Sequence, residues 1–383
     1  MAQAAVPDYL GSDFADCPPG HRYTLYGPFW EPRSGWSRVT NVDAGALSHD
    51  FAKIAQCAVE QGVALRTRQK ALVMNLSSSV EAVFARSVAP FATGTGIEHP
   101  LENGMAFLNP YGLPYLPGAS VKGVLRRAAQ ELACDRNADC WGTETAWTLE
   151  AIEHLFGKEP APGEDDASRG ALTFWDVIPD CTRLGVDIMN PHHGSYYRGE
   201  SSPHDSENPI PIYFLTVPEG SGFAFFVQCD DRRLGDARLD WRSLLREAFA
   251  HAFAWLGFGA KTAVGYGAME EDERARTAFL NGLRDLKEKA RLAAMTQEER
   301  RIESLLATLA NERAAGTLAP SSRVASERVE LLREALDWDS DMLRRQAAQA
   351  IQETVRALPW SKKAKAERQA DMDRLRQPRV LPD

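Results

Sequence analysis

The pattern of apolar positions divides the sequence into a mixed first part and a helical second part. Up to about residue 270, short runs with strand character alternate with amphipathic segments whose apolar residues recur at helical spacing. Beyond that point the pattern is helical almost to the end, with breaks at 316–320, 337–340 and 359. We therefore expect an α+β core followed by an α-helical C-terminal extension.

Inside the first part, the strand and helix signals follow a recognisable order. Strands are expected at 80–91, 170–177, 210–217 and 222–228 and after residue 267, with 210–217 and 222–228 joined as a strand pair through 218–220. Helices are expected from about 119 to 132 and from 241 to 256. The order strand, helix, strand, strand, helix, strand, with insertions, is that of a ferredoxin-like (RRM-type) fold.

These signals give three expected regions. Residues 1–79 are an irregular N-terminal arm followed by a helix at 44–70, which packs on the core. Residues 80–270 form the core domain, with insertions at 93–118 and 180–209. Residues 271–383 form the helical extension.

Composition excludes several classes of protein. The 383 residues are 44% hydrophobic and 25% charged, as in an ordinary globular protein, and no apolar run is long enough to cross a membrane. The N-terminal residues lack the regions of a signal peptide, and six scattered cysteines without a CxxC pair are typical of a reducing compartment. We therefore expect a cytoplasmic protein with no membrane contact and no cofactor. A metal is not expected either, because the spacing of Cys134 and Cys140 is poor for zinc.

The net charge limits how the protein binds nucleic acid. A charge of −9 argues against a protein that coats nucleic acid through bulk positive potential. It remains compatible with a local basic groove and with acidic surfaces that meet other proteins. Binding chemistry therefore has to be sought in local motifs.

The densest local motif lies at 256–267 and reads LGFGAKTAVGYG. Gly257 is interpreted as the residue beyond a helix C-terminus, where a positive φ is needed and glycine adopts it most easily. The later glycines let the main chain approach a ligand closely, and Lys261 adds positive charge to this glycine loop, residues 257–267. A polyanion is the ligand that such a loop favours.

Spacing excludes two known phosphate motifs for the glycine loop. A P-loop needs glycine directly before the lysine and another glycine five residues before that, where this sequence has Ala260 and Trp255. The dinucleotide pattern GxGxxG fails because Thr262 stands where the third glycine belongs. The alternative without a ligand is a tight turn from helix to strand.

Further motifs link the glycine loop to a known family. The run PYLPGASVKGVLR at 114–126 resembles the P-Y-x-P-G-S-S-x-K-G-x-x-R signature of the RAMP superfamily, the repeat-associated proteins of CRISPR effector complexes. The glycine loop is similar to the C-terminal G-rich loop of that superfamily. HPLENG at 99–104 and DIMNPHHGSYY at 187–197, followed by NPIP at 208–211, resemble the sixth-subunit family of the type III-B (Cmr) effector. One departure is Ala119, which replaces the first serine of the signature.

This resemblance implies an RRM-like backbone subunit without catalytic activity. Such a subunit holds the 3′ part of a CRISPR RNA for antiviral defence, with other Cmr effector subunits as partners and target RNA as an open further partner. The RNA contacts that it implies are Gly118, Ser120 and Lys122 in the signature, Gly257, Gly259, Lys261, Thr262, Gly265, Tyr266 and Gly267 in the glycine loop, and His192, His193 and Arg198. The resemblance does not account for the long helical extension, which we expect to mediate assembly.

Residue chemistry supports these contacts and also offers alternatives. A helix N-terminus attracts phosphate, and Lys122 in a first turn is unfavourable unless an anion is nearby. Ser120 has the alternative role of a plain N-cap. Tyr266 and Phe258 are able to stack on an unpaired base, although a tyrosine in a strand is more often part of the core.

Enzymatic alternatives stay open. Histidine is the usual acid and base in RNA cleavage, and RAMP relatives that cut RNA use a histidine or a loop aspartate. The candidates for that role are His99, His192, His193, His204, Asp187 and Glu102. A small-molecule enzyme that holds a nucleotide in the glycine loop is a third class, which the failed spacings disfavour. Because the resemblance implies no cleavage, we expect an RNA-binding subunit rather than an enzyme.

Overall fold

The structure is a computed structural model of the chain. It describes residues 3–32, 35–39, 47, 51–134, 147–158, 160, 165, 167–190, 196, 199, 202, 211–235 and 239–377. The chain divides into two compact units, an N-terminal unit Met1–Leu280 and a C-terminal unit Asn281–Asp383. Among the helices of these described ranges, none has the length and apolarity needed to cross a bilayer.

The N-terminal unit mixes strands and helices. Its strands are Trp30–Glu31 (β1), Ser37–Arg38 (β2), Val80–Ser87 (β3), Phe107–Leu108 (β4), Leu113–Pro114 (β5), Gly157–Lys158 (β6), Ser168–Arg169 (β7), Leu172–Phe174 (β8), Gly185–Met189 (β9), Ile212–Thr216 (β10), Gly222–Cys229 (β11) and Met269–Glu271 (β12). Its helices are Pro19–Thr24 (α1), Gln56–Asn75 (α2), Gly118–Cys134 (α3), Leu149–Phe156 (α4), Asp231–Leu234 (α5) and Trp241–His251 (α6). The predicted α+β class is confirmed.

A four-stranded antiparallel sheet forms the centre of this unit. Its strand order is β12–β3–β11–β8, with β3 and β11 in the middle. Both central strands are buried along most of their length, as expected for strands that have neighbours on both sides. Helix α3 lies between β3 and β8 in the chain and α6 lies between β11 and β12, and these two helices pack against each other.

Helix α6 positions the glycine loop. Its buried side chains recur at helical spacing from Trp241 to Phe249, and the Asp240 carboxylate caps it by accepting the backbone N–H of Ser243. The helix continues as one π-helical turn, Ala252–Leu256, and ends at Gly257 with φ 67°. The loop therefore begins at the end of a helix that is fixed in the core.

The second face of the sheet is covered as well. The rings of Phe84 on β3 and Phe226 on β11 lie 6.2 Å apart, and Phe279 lies 5.2 Å from Phe84. Val73 of α2 belongs to the same buried cluster. Burial on both faces explains why β3 and β11 lack a clean alternation of apolar and polar residues.

The predicted pairing of 210–217 with 222–228 is wrong. Strand β10 pairs with β9 in a separate two-stranded sheet, whereas β11 pairs with β3 and β8. The connection is held by the end of β3, because the N–H of Gly220 donates to the carbonyl oxygen of Ser87 at 2.7 Å and the Ser87 hydroxyl lies 3.3 Å from the Pro218 carbonyl oxygen. The chain therefore crosses from one sheet to the other instead of folding back on itself.

Other boundaries differ by several residues. The helix expected at 44–70 is α2, Gln56–Asn75, and 40–46 and 48–50 lie outside the described residues. The strand expected at 80–91 ends at Ser87, and the insertion 180–209 contains β9.

The second part of the chain is helical. Its helices are Glu273–Ala294 (α7), Gln297–Ala315 (α8), Arg323–Leu336 (α9), Asp341–Ala357 (α10) and Lys362–Arg376 (α11). The C-terminal unit has its own core, which includes Leu305, Leu331 and Ile351. Thr296 and Glu299 form a reciprocal capping box at the start of α8, so this unit carries local start signals of its own.

Candidate nucleic-acid interface

The glycine loop has an unusual backbone. Gly257, Gly259, Gly265 and Gly267 all have positive φ, between 67° and 99°. Lys261 also adopts the left-handed region, with φ 60° and ψ 29°. For a residue with a Cβ this conformation costs about 1 kcal/mol, so the surrounding contacts must hold it.

Backbone hydrogen bonds close the base of the loop and fix it to the segment after β3. The N–H of Phe258 donates to the carbonyl oxygen of Gly267 at 3.0 Å. The N–H of Ala260 donates to the carbonyl oxygen of Ala92 at 2.7 Å, and the N–H of Gly267 donates to that of Pro90 at 2.9 Å. The loop is therefore a built part of the fold.

Its glycines serve two different purposes. A Cβ at Gly259 would collide with the Ala92 carbonyl oxygen, and a Cβ at Gly267 would collide with that of Phe258. These glycines are explained by internal packing. At Gly265, by contrast, nothing lies within 4 Å of the Cβ position, and the residue is exposed. Gly265 therefore marks the part of the loop where the main chain is open to a ligand.

Lys261 carries a positive charge that has no carboxylate partner among the described residues. Its Nζ lies 2.9 Å from the Met189 sulfur and 5.1 Å from the centre of the Phe214 ring. Both neighbours are uncharged, so the contacts orient the ammonium group without neutralising it. Thr262 is half-buried and begins the 3₁₀ turn Thr262–Val264 at the loop tip.

The contacts of Tyr266 are closer to those of a core residue than to those of a residue that stacks on an RNA base. Its hydroxyl donates a 2.6 Å hydrogen bond to the Asp187 carboxylate, and its ring lies 5.6 Å from that of Phe214. Burial, then the bond to the Asp187 carboxylate and its charge, raise the pKa of Tyr266 to about 12. Phe258 is fully buried against Phe225, so it is not available to stack on a base.

The start of helix α3 is occupied by a carboxylate from the segment that follows β8. The N–H of Gly118 donates to Asp176 Oδ1 at 2.7 Å, and Gly118 is buried so tightly that a Cβ would collide with the Phe174 carbonyl oxygen. The alternative of Ser120 as the N-cap is wrong, because Ser120 lies inside the first turn and is exposed. The capping group comes from 58 residues further along the chain, which local sequence signals did not reveal.

Lys122 is half-buried in the first turn of α3 and has no hydrogen-bond or ion-pair partner among the residues that the structure describes. A cation in this position is repelled by the positive end of the helix. The Asp176 carboxylate at the helix start offsets part of that repulsion. Lys122 therefore remains available to an anion, although an anion is not required to explain it.

Backbone contacts place the glycine loop and the entrance of α3 in neighbouring positions. Ala260 bonds to Ala92, Ala106 donates to the Thr93 carbonyl oxygen at 3.1 Å, and Tyr115 donates to the Ala106 carbonyl oxygen at 3.4 Å. Both segments thus flank the same stretch of chain after β3.

The remaining predicted contacts lie outside the described residues. These are His192, His193 and Arg198. The described part of their motif, β9, supplies Asp187 and Met189 to the glycine loop. The structure therefore joins two of the sequence motifs at one place.

Sequence analysis missed one exposed aromatic beside the loop. Trp255, in the π-helical turn, is 62% exposed, and Val264 at the loop tip is also exposed. The sequence carried a signal for this: Trp255 falls outside the apolar stripe that ends with Phe253 and Leu256.

The residues proposed for catalysis are engaged in other contacts where they are described. His99 is 8% exposed, its Nε2 donates to the Tyr23 carbonyl oxygen at 2.9 Å, and its Nδ1 accepts the Leu101 N–H at 3.1 Å. Burial lowers the pKa of His99, so the ring is neutral and both nitrogens are used. Asp187 accepts from Tyr266, and Glu102 lies 3.9 Å from Arg38.

Comparison with known proteins agrees with the motifs. Residues 85–270 match the model of the RAMP superfamily. The CRISPR system Cmr subunit Cmr6 of Pyrococcus furiosus is 32% identical, with 46% of this chain and 64% of that protein covered. The Cmr6 subunit of Saccharolobus solfataricus is 25% identical, with 44% of this chain and 49% of that protein covered. The chain therefore spans less than two thirds of either relative.

A solved complex is similar over a larger share of the chain. One chain of the type III-B Cmr-beta complex bound to cognate target RNA shows 20% identity and a TM-score of 0.40, covering 60% of this chain and 69% of that one.

The sequence matches point to one class: residues 85–270, just under half of the chain, match the RAMP-superfamily model. The chain resembles the Cmr6 subunits of CRISPR Cmr systems, as the motifs predicted. The family match begins at residue 85 and ends at residue 270, so it includes neither the N-terminal arm nor the helical extension.

Proposed function

We propose that this chain is a non-catalytic, RNA-binding backbone subunit of a type III-B CRISPR effector complex, where it holds the 3′ part of the CRISPR RNA. The observation that carries the proposal is the open main chain at Gly265, next to a lysine whose charge has no carboxylate partner among the described residues. The similarity to Cmr6 supports the choice of RNA as the polyanion. Other effector subunits and target RNA are the further partners of this proposal.

The proposed core is of the ferredoxin-like (RRM) type. Strands β3, β8, β11 and β12 occur in the chain as first, second, third and fourth, and their order in the sheet is fourth, first, third, second. All neighbours are antiparallel, and α3 and α6 connect the first to the second and the third to the fourth strand. This arrangement of two strand–helix–strand halves is the pattern expected for that fold.

In this proposal, RNA is held by a backbone contact at the tip of the glycine loop and by the charges of two lysines. The phosphate backbone lies against the exposed tip around Gly265, with Lys261 on one side and Lys122 of α3 beyond the segment after β3. Trp255 is positioned to stack on an unpaired base at the beginning of the loop. Because the chain offers few cations here and carries a net charge of −9, binding by the isolated protein is expected to be weak and sensitive to salt.

The alternative is a RAMP-type endoribonuclease that cuts RNA with a loop histidine or aspartate. The contacts of His99 and Asp187 favour the non-catalytic role, since a general base must have a ring nitrogen or carboxylate oxygen within reach of the substrate. His192, His193 and His204 lie outside the described residues, so their replacement by alanine tests this alternative directly. Loss of metal-independent cleavage in those variants favours the nuclease.

The central test replaces Lys122 and Lys261 together by alanine in the full-length chain. The complex is purified from the native host, and the bound RNA is quantified and sequenced. A matched control replaces the exposed Lys287 and Lys289 of α7, which changes the net charge equally. We expect less retained RNA only in the first variant, with unchanged thermal unfolding. Equal RNA retention in both variants contradicts the proposed site.

A further inference from the structure

Helix α10 presents a row of guanidinium and amide groups to solvent. Arg345, Gln349, Gln352 and Arg356 are spaced by four, three and four residues, so they lie on one helix face. Arg345, Gln349 and Arg356 are exposed, and Gln352 is half-buried. We call these four residues the arginine row. It extends for about 16 Å along the helix axis.

The neighbouring helix α11 adds to the arginine row. Arg376 Nη2 donates to Gln352 Oε1 at 3.0 Å, which fixes the direction of that amide. Lys365 Nζ lies 3.1 Å from the Arg356 carbonyl oxygen, so a further cation is near the other end of the row. Together with Glu353, the row and Arg376 line an open concave surface between the two helices.

Other arginines of the C-terminal unit behave differently. Arg301 lies 2.8 Å from Glu334, Arg323 lies 2.6 Å from Glu327, and each of these pairs forms a mixed-charge surface. Within the described residues, Arg345 and Arg356 have no carboxylate within ion-pair distance, whereas Arg376 lies 3.5 Å from Asp373. A solvent-exposed helix face usually carries arginines paired with carboxylates. The arginine row differs, because Arg345 and Arg356 are not paired in this way.

Charge is distributed unevenly between the two units. Residues 1–280 contain 24 lysines and arginines against 36 aspartates and glutamates, whereas residues 281–383 contain 20 against 17. The C-terminal unit is therefore the part of this acidic chain that repels a polyanion least. Within that unit, a surface on which arginines outnumber carboxylates is the best-placed second contact for RNA.

We propose that the arginine row, with Arg376, binds the sugar-phosphate backbone of RNA without reading its sequence. Guanidinium groups bind phosphate oxygens through paired N–H donors, and glutamine amides also donate to phosphate or ribose oxygens. A linear row of donors matches a linear ligand with a repeating charge better than it matches an isolated carboxylate. The inference rests on the proposed function only in naming RNA as the ligand, because the residues belong to a unit that the RAMP match does not include.

The test uses the full-length chain and a labelled single-stranded RNA of mixed sequence, with binding measured by fluorescence anisotropy at several salt concentrations. The test variant is Arg345→Gln with Arg356→Gln. The control is Arg301→Gln with Arg323→Gln, which removes the same charge from ion-paired positions. We expect roughly tenfold weaker binding for the test variant and a salt dependence less steep by about 1.4 in log–log slope, from two lost phosphate contacts. The control stays close to the wild type.

A third variant, Arg345→Lys with Arg356→Lys, keeps the charges and is expected to retain most of the affinity. The inference is overturned if the test variant and the control have the same affinity for RNA, because the position of the removed arginines then has no effect on binding. It is also overturned if RNA binding is unchanged while the test variant loses self-association in sedimentation, which marks the row as a protein contact. Loss of RNA by the Lys122 and Lys261 variant alone leaves the proposed function in place and removes this second site; loss by the arginine variant alone does the reverse.

Discussion

The hydroxyl of Tyr266 donates a 2.6 Å hydrogen bond to the carboxylate of Asp187, across 79 residues of sequence. The contact joins the end of the glycine loop to strand β9. Lys261 and Met189 make a second connection between the same segments at 2.9 Å. The β9–β10 sheet therefore supports the loop, and the two sequence motifs act as one structural feature.

Replacing Tyr266 by phenylalanine tests this connection through pH. The pKa of Tyr266 is raised from 10 to about 12 in the folded chain, so the folded state keeps its proton where the unfolded state loses it. Stability from this group is complete below about pH 10 and decreases between pH 10 and 12. We expect the free energy of unfolding of the wild type to fall more steeply over that range than that of the variant, as measured by urea denaturation. Parallel pH curves contradict the assigned pKa shift.

Trp255→Ala tests the stacking role of the exposed aromatic. Loss of one stacked base is expected to weaken RNA binding about tenfold, while Trp255→Phe keeps most of the affinity. Leu149→Ala, at another exposed apolar position, is the control for a general loss of apolar surface. If both alanine variants bind RNA like the wild type, Trp255 does not contact the RNA.

Substitutions at two glycines of the loop distinguish a structural role from a binding role. Gly267→Ala places a methyl group against the Phe258 carbonyl oxygen at positive φ, and we expect a loss of at least about 2 kcal/mol of stability. Gly265→Ala has open space and strains only the backbone, by about 1 kcal/mol. Thermal unfolding and RNA binding are measured for both. The proposed site requires that Gly265→Ala weakens RNA binding while the chain stays folded.

His99 is expected to make the fold sensitive to acid. Burial lowers its pKa below the ordinary 6.5, so the unfolded chain takes up a proton first as the pH falls through that value. The contribution of the neutral, buried His99 ring to the free energy of unfolding is fully present above about pH 6.5 and decreases below that pH. Denaturation between about pH 5 and 7 should show a shallower pH dependence for His99→Gln than for the wild type. Equal slopes for the wild type and His99→Gln contradict the lowered pKa of His99.

The sequence predicted those features that depend on local spacing. Apolar periodicity located α3 and α6, and the positive φ of Gly257 followed from its place after a helix. The motifs predicted the resemblance to the RAMP superfamily and to Cmr6, which the comparisons confirm. Short-range rules suffice here because each feature is fixed by neighbours within a few residues.

Only the tertiary structure decided which distant groups meet. Strand β10 pairs with β9 rather than β11, Ser87 of β3 bonds to the connection between β10 and β11, and Asp176 rather than Ser120 occupies the start of α3. Packing also separates Gly265, which is open, from Gly259 and Gly267, which touch their own main chain. Such contacts join residues far apart in the sequence, and local periodicity carries no information about which of several compatible partners the folded chain selects.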